Sequence, residues 1–114
     1  TQLFFDNQAY FDFVQSCRSV GINKPVLPGL LPVLSLGQVQ RFCKMCEATL
    51  PSSLERRLTE AEDENQPLVG SEWAAMQIRQ LLEEGAPGYH IYALNKPQST
   101  LQILDYLGIE KSAA

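Results

Sequence analysis

Apolar and polar positions follow two rhythms along this chain, short runs of strand formers and longer stretches with helical spacing. Thr1-Gln2-Leu3-Phe4-Phe5 is a run of the first kind, bounded by Asp6-Asn7, either of which can cap a helix. Tyr10, Phe13, Val14 and Cys17 then recur at helical spacing, and Gly21 supplies a stop. Val26 and Leu27 form a second apolar run after Pro25, too short for a helix, which Pro28 and Gly29 are expected to end. The spacing predicts another helix over residues 37–46, capped by Ser35, with Val39, Phe42, Cys43 and Cys46 on one face.

The rhythm then loosens. Pro51-Ser52-Ser53-Leu54-Glu55-Arg56-Arg57-Leu58 reads as a short extra helix, and the acidic run over residues 60–65 as a solvated face. Over residues 69–84, Ala74, Ile78, Leu81 and Leu82 make one buried stripe ended by Gly85, with Trp73 packing beside it. Gly88-Tyr89-His90-Ile91-Tyr92-Ala93-Leu94 is the last strand, and Asn95 caps a helix with Pro97 in its first turn. Leu101, Leu104 and Leu107 are expected to face the core, and Gly108 to end that helix. Strand, helix, strand, helix with an insertion, strand, helix is the order of an α/β chain with parallel strands and right-handed crossovers. Ligands in such sheets bind at the carboxyl ends of strands, here Asp6, the loop over residues 29–35, and residues 94–96. Pro28 and Pro32 stiffen that loop around Gly29, as suits the floor for a flat ligand.

Composition narrows the picture. At 114 residues, 45% hydrophobic and 19% charged, the chain reads as one globular domain over residues 1–114. A net charge of −4 with no basic stripe argues against nucleic-acid and membrane-surface partners. The longest apolar stretch, residues 26–36, is interrupted and too short to cross a bilayer, and the amino terminus lacks a signal layout. A soluble cytoplasmic protein is the expectation, and the start at Thr1 without Met suggests a piece of something longer. The three cysteines read as reduced thiols, and Cys43-Lys44-Met45-Cys46 reads as core packing on its helical face. A zinc site would have to recruit Cys17 and His90, and no EF-hand-like loop accompanies the carboxylates. His90, the only histidine, reads as structural. No glycine-rich phosphate loop, G-x-S-x-G or H-E-x-x-H occurs, and no catalytic residue is assigned.

Three strand ends carry a resemblance. Thr1-Gln2-Leu3-Phe4-Phe5-Asp6, Leu27-Pro28-Gly29-Leu30-Leu31-Pro32 and Ile91-Tyr92-Ala93-Leu94-Asn95-Lys96 stand in the order of T-Q-F-F-F-D, I-P-G-I-M/L-P and F-Y-T-L-N-R. Those are segments of methylenetetrahydrofolate reductases, and the chain resembles the carboxyl-terminal part of that family over almost its whole length. Cys17-Arg18, Gly21-Ile22, Arg41-Phe42 and Gly70 fit the same alignment. The resemblance implies roughly three strands with flanking helices from the end of a TIM (β/α)8 barrel. It also implies a role in one-carbon metabolism and methionine biosynthesis: NAD(P)H reduces FAD, and the reduced flavin converts methylenetetrahydrofolate to methyltetrahydrofolate.

By the same resemblance, Gln2 hydrogen-bonds the folate pterin, Tyr92 and Leu94 line the folate or nicotinamide side of the cleft, and Lys96 meets the folate carboxylates. Lys96 stands in place of an arginine and loses its two-pronged donor. Leu36 stands where the family commonly has an aromatic residue, a loss of about 0.5–1.5 kcal/mol of ring contact. Ala93 replaces a usual threonine.

A complete barrel of this kind needs about 250 residues, so this chain cannot close one alone. The resemblance places the acidic catalytic residue and most FAD-binding residues upstream, so the isolated chain is expected to bind neither FAD nor NAD(P)H and to be inactive. It would pair with the amino-terminal part of the barrel or with itself through open sheet edges. The alternative is a non-catalytic, self-associating interaction or ligand-binding domain derived from such a barrel.

Overall fold

The computed structural model describes residues 3–92 and 97–108. The order is α1 (Asn7–Ser19), β1 (Gly29–Leu30), α2 (Leu36–Cys46), α3 (Ser52–Glu60), a 3-10 turn (Asp63–Asn65), α4 (Gln66–Glu83), β2 (His90–Ile91) and α5 (Pro97–Leu107). The chain is α/β and mostly helical. β1 and β2 pair in parallel, Gly29 with His90 and Leu30 with Ile91, and Leu3 joins Gly29 through an isolated parallel bridge. The expected first strand thus appears as that one bridge, and the last as two residues; Ala93 and Leu94 lie outside the described residues. No described helix is long and apolar enough to cross a membrane.

Val26 and Leu27 do not form the expected buried strand, and the paired residues begin after Pro28. The Val26 carbonyl accepts from the Tyr10 hydroxyl at 2.7 Å, and Leu27 is 47% exposed. Proline has no N–H to donate but keeps its carbonyl, and Pro28 uses it to accept from His90 N at 2.9 Å. The ladder continues where Tyr92 N donates to the Leu30 carbonyl, also at 2.9 Å.

Neighbouring side chains of an extended segment point opposite ways, and the apolar residues sort accordingly. Phe4, Leu30 and Ile91 join Tyr10 of α1, Ala74, Ala75, Ile78 and Leu81 of α4, and Ile103 of α5. Leu3, Phe5, Leu31 and Tyr92 join Val33, Val39 and Cys43, with Leu54 and Leu58 of α3. Cys43 is therefore a core residue, as its helical spacing predicted, and burial, reinforced by Cys46, pushes its thiol pKa up.

Three expected core positions face outward. Phe13 is 51%, Leu82 44% and Leu101 42% exposed. Successive helical residues are about 100° apart, so Leu81 and Leu82 cannot both face the core, and Leu81 does. On α5 the buried positions are Ser99 and Ile103, one turn apart, and Leu101 lies off that line.

α4 contributes to both clusters, with Val69 and Trp73 on one and its later residues on the other. Trp73 Nε1 donates to the Phe5 carbonyl at 3.0 Å, and a turn later Gln77 Nε2 donates to the Phe4 carbonyl at 3.3 Å. The helix thus runs against the direction of the first segment. Gln77 Nε2 also donates to Asn7 Oδ1 at 3.1 Å, while Asn7 Nδ2 donates to the Gln77 carbonyl and to Gln80 Oε1. α5 lies along α4 in the same sense, with Ser71 Oγ donating to Gln102 Oε1 and Arg79 to the Tyr106 carbonyl. Gly70 packs on the chain at Val33, where a Cβ would lie 2.7 Å from the carbonyl carbon and 2.9 Å from the Val33 Cβ.

Three expectations follow for chemical denaturation. Gly70→Ala should lower stability by roughly 1–3 kcal/mol through overpacking against backbone. Gly37→Ala, whose Cβ meets nothing within 4 Å, should leave stability unchanged or raise it by up to about 1 kcal/mol. Gln77→Leu should cost about 1–3 kcal/mol, because two buried acceptors, the Phe4 carbonyl and Asn7 Oδ1, lose their donor.

Candidate functional site

The parallel ladder brings the three sequence segments to a common edge. In register with Leu3, Gly29 and His90, the residues two further on are Phe5, Leu31 and Tyr92, which pack into one cluster. Asp6 follows Phe5 as the cap of α1, its carboxylate accepting from Gln8 N at 3.0 Å. Two grooves open beside it. One, of about 590 Å³, runs past Phe5, Asp6 and Asn7 to Trp73, Gln77 and Arg79. The other, of about 270 Å³, lies between Phe5, Asp6 and Phe13 on one side and Cys46 and Glu47 on the other.

The stiff loop is not an open floor. Residues 28–33 are all buried, so Leu31 and Val33 serve packing. The start of α2 is closed by side chains of the chain itself. Leu34 N donates to Gln38 Oε1 at 2.7 Å, Leu36 N to Gln66 Oε1 at 3.0 Å, and Gln38 N to Ser35 Oγ at 3.1 Å. Gln66 Nε2 in turn donates to the Leu58 carbonyl. These contacts satisfy amides that a helix start otherwise offers to anions.

Of the residues that the sequence pointed to, Leu36 is the first residue of α2, and its half-buried side chain packs against the cluster that also holds Tyr92. The Tyr92 ring meets the exposed His90 ring edge-on, with centroids 4.6 Å apart. The fold therefore gathers Leu36 and Tyr92 on one cluster. Gln2, Leu94 and Lys96 lie outside the described residues.

Sequence reasoning missed Asn7, Gln66 and Gln77, the buried amides that tie segments together. A signal existed for Gln77, which stands at i+3 from Ala74 beside Ile78 and so interrupts the apolar stripe with an amide at a core position. Asn7 was weighed only as a cap, and its side chain instead reaches across to α4.

A flavin pyrophosphate needs free helix-start amides or a cationic cradle. At the starts of α1 and α2, Asp6 takes the amide of Gln8, Gln66 that of Leu36 and Ser35 that of Gln38, so these amides are not free for it. No cluster of His, Cys, Asp or Glu able to hold a metal occurs among the described residues. The geometry offers a packed wall beside two grooves lined in part by aromatic side chains.

The methylenetetrahydrofolate reductase family model matches residues 1–108. The chain is 32% identical over 114 residues to a probable methylenetetrahydrofolate reductase (NADPH) of Caenorhabditis elegans, covering 97% of this chain and 17% of that protein. It is 32% identical over 111 residues to methylenetetrahydrofolate reductase (NADH) 1 of Arabidopsis thaliana, covering 96% of this chain and 19% of that protein. Against 5,10-methylenetetrahydrofolate reductase of Escherichia coli the identity is again 32% over 111 residues, covering 96% and 38%. The chain thus spans between about a sixth and two-fifths of the length of these relatives, and with the alignment running through all three strand-end segments it belongs to the methylenetetrahydrofolate reductase family.

Proposed function

We propose that this chain is the carboxyl-terminal part of the catalytic barrel of a flavin-dependent methylenetetrahydrofolate reductase and supplies one wall of its folate and nicotinamide site. One observation carries the reading: the segments that bear the three family-like motifs lie side by side, parallel and in register through Leu3, Gly29 and His90. Parallel pairing sends residues 6, 32–36 and 92 toward one edge, where such folds bind ligands.

On this reading Gln2 holds the pterin, Tyr92 and Leu94 form an apolar wall with Leu36 beside it, and Lys96 attracts the folate carboxylates. FAD supplies the electron-transfer chemistry when bound, and its site belongs to the remainder of the longer enzyme. The chain's own work is to bind, orient and exclude water. Folate is its substrate-side partner, the amino-terminal part of the barrel its structural one, and the cytoplasm its location.

The test is complementation. The chain is produced with and without the amino-terminal portion of the E. coli relative, and flavin absorbance and NAD(P)H-dependent reduction of methylenetetrahydrofolate are followed. Both should be present only in the combination; a yellow, fully active isolated chain would overturn the division of labour. In the active combination, Lys96→Ala should raise KM for the folate by roughly tenfold or more with little change in kcat, the loss of a charge-assisted contact of about 1.5–3 kcal/mol. Lys96→Arg should lower it.

The second reading, a self-associating domain without catalysis, is favoured by the exposure of Phe13 at 51% beside the smaller groove and of Leu27 at 47%. Light scattering should then give a dimer or larger species that persists with the amino-terminal portion present and shows no response to folate.

A further inference from the structure

The thiols of Cys43 and Cys46 take no part in the proposed site. Both are free, they stand one turn apart on α2, and they differ in access. Cys43 is 8% exposed in the cluster with Phe5, Leu31 and Val39, whereas half-buried Cys46 lines the groove of about 270 Å³. Cys46 is the last residue of the helix, and Glu47 follows it at φ 53°, in the left-handed region. Glu47 N and Ala48 N both donate to the Cys43 carbonyl, the latter at 2.9 Å.

We propose that Cys43 and Cys46 form an oxidisable dithiol, a modification site at which a hydroperoxide reacts with Cys46 and Cys43 closes an intrachain disulfide. The groove admits a small peroxide to the outer sulfur and the buried sulfur waits one turn below, a division between attacking and resolving thiol. The Cys46 thiolate attacks the distal peroxide oxygen, the O–O bond breaks, and an alcohol or water leaves after taking up a proton. The Cys43 sulfur then attacks the sulfur of the sulfenic acid, the S–O bond breaks, and water leaves with the Cys43 proton. Two thiols give two electrons to one peroxide.

Side chains three apart on a helix have Cβ atoms about 5–6 Å apart, and a disulfide needs about 3.5–4.5 Å, so the last turn must tighten. That turn is the terminal one, where Glu47 has already left the helix, so the movement is local. The turn held by the Cys43 carbonyl is the part of the chain that registers oxidation.

The full chain is treated with hydrogen peroxide, alkylated and mapped by peptide mass spectrometry, with amide exchange followed at Glu47 and Ala48. The expected product is a single Cys43–Cys46 disulfide, with changed exchange at those two amides. Cys46→Ala, at a half-buried position, should fold normally and lose the disulfide completely. Cys43→Ala should leave Cys46 as a sulfenic acid that dimedone traps. Pairing of Cys17 with either thiol, an intermolecular bridge, or oxidation of Cys17 while Cys43 and Cys46 stay reduced would overturn the proposal.

Discussion

The grip of α4 on the end of the first segment is the constraint on which the rest of the structure depends. Backbone carbonyls at a segment end must be satisfied, and α4 satisfies two in a row, Phe5 through the Trp73 indole and Phe4 through the Gln77 amide. Asn7 closes the network by bonding Gln77 and Gln80 from the first turn of α1. Because Gly70 on the same helix lies against Val33, α4 fixes the first and second segments relative to one another. The apolar contacts of Ala74, Ile78 and Leu81 supply most of the burial, and the amides supply the register.

That arrangement has consequences for function. Two buried clusters share the segment residues alternately, so both faces of the segments are packed. Phe5, Leu31 and Tyr92 are held by α2 and α3 from one side, and under the proposed function a substrate-facing side chain on that wall would inherit its placement from packing.

Helix ends were the most legible feature of the sequence. Asp6 and Ser35 accept from the amides two and three residues on, and Gly21, Gly85 and Gly108 take positive φ at 87°, 97° and 74°. These signals are local, and local chemistry decides them. The second segment was misplaced because Pro28 and Gly29 look like a turn, while a proline carbonyl serves a parallel ladder perfectly well. The face of α5 was misread because its buried positions are Ser99 and Ile103, with the Gln102 amide bonded to Ser71 of α4, and the leucines drew attention away. Leu36 and Tyr92 were singled out through family likeness alone, and the cluster they share follows from contacts distant in sequence that no local pattern encodes.

The central claim is that three segments lie parallel, in register, with their carboxyl ends at one edge. Nuclear Overhauser contacts on the labelled chain test it most directly. The account predicts inter-segment contacts between the backbone protons around Leu3 and Gly29, and around Gly29 and His90, in the parallel pattern. An antiparallel pattern, or the absence of contacts between Gly29 and both partners in a folded chain, would contradict it.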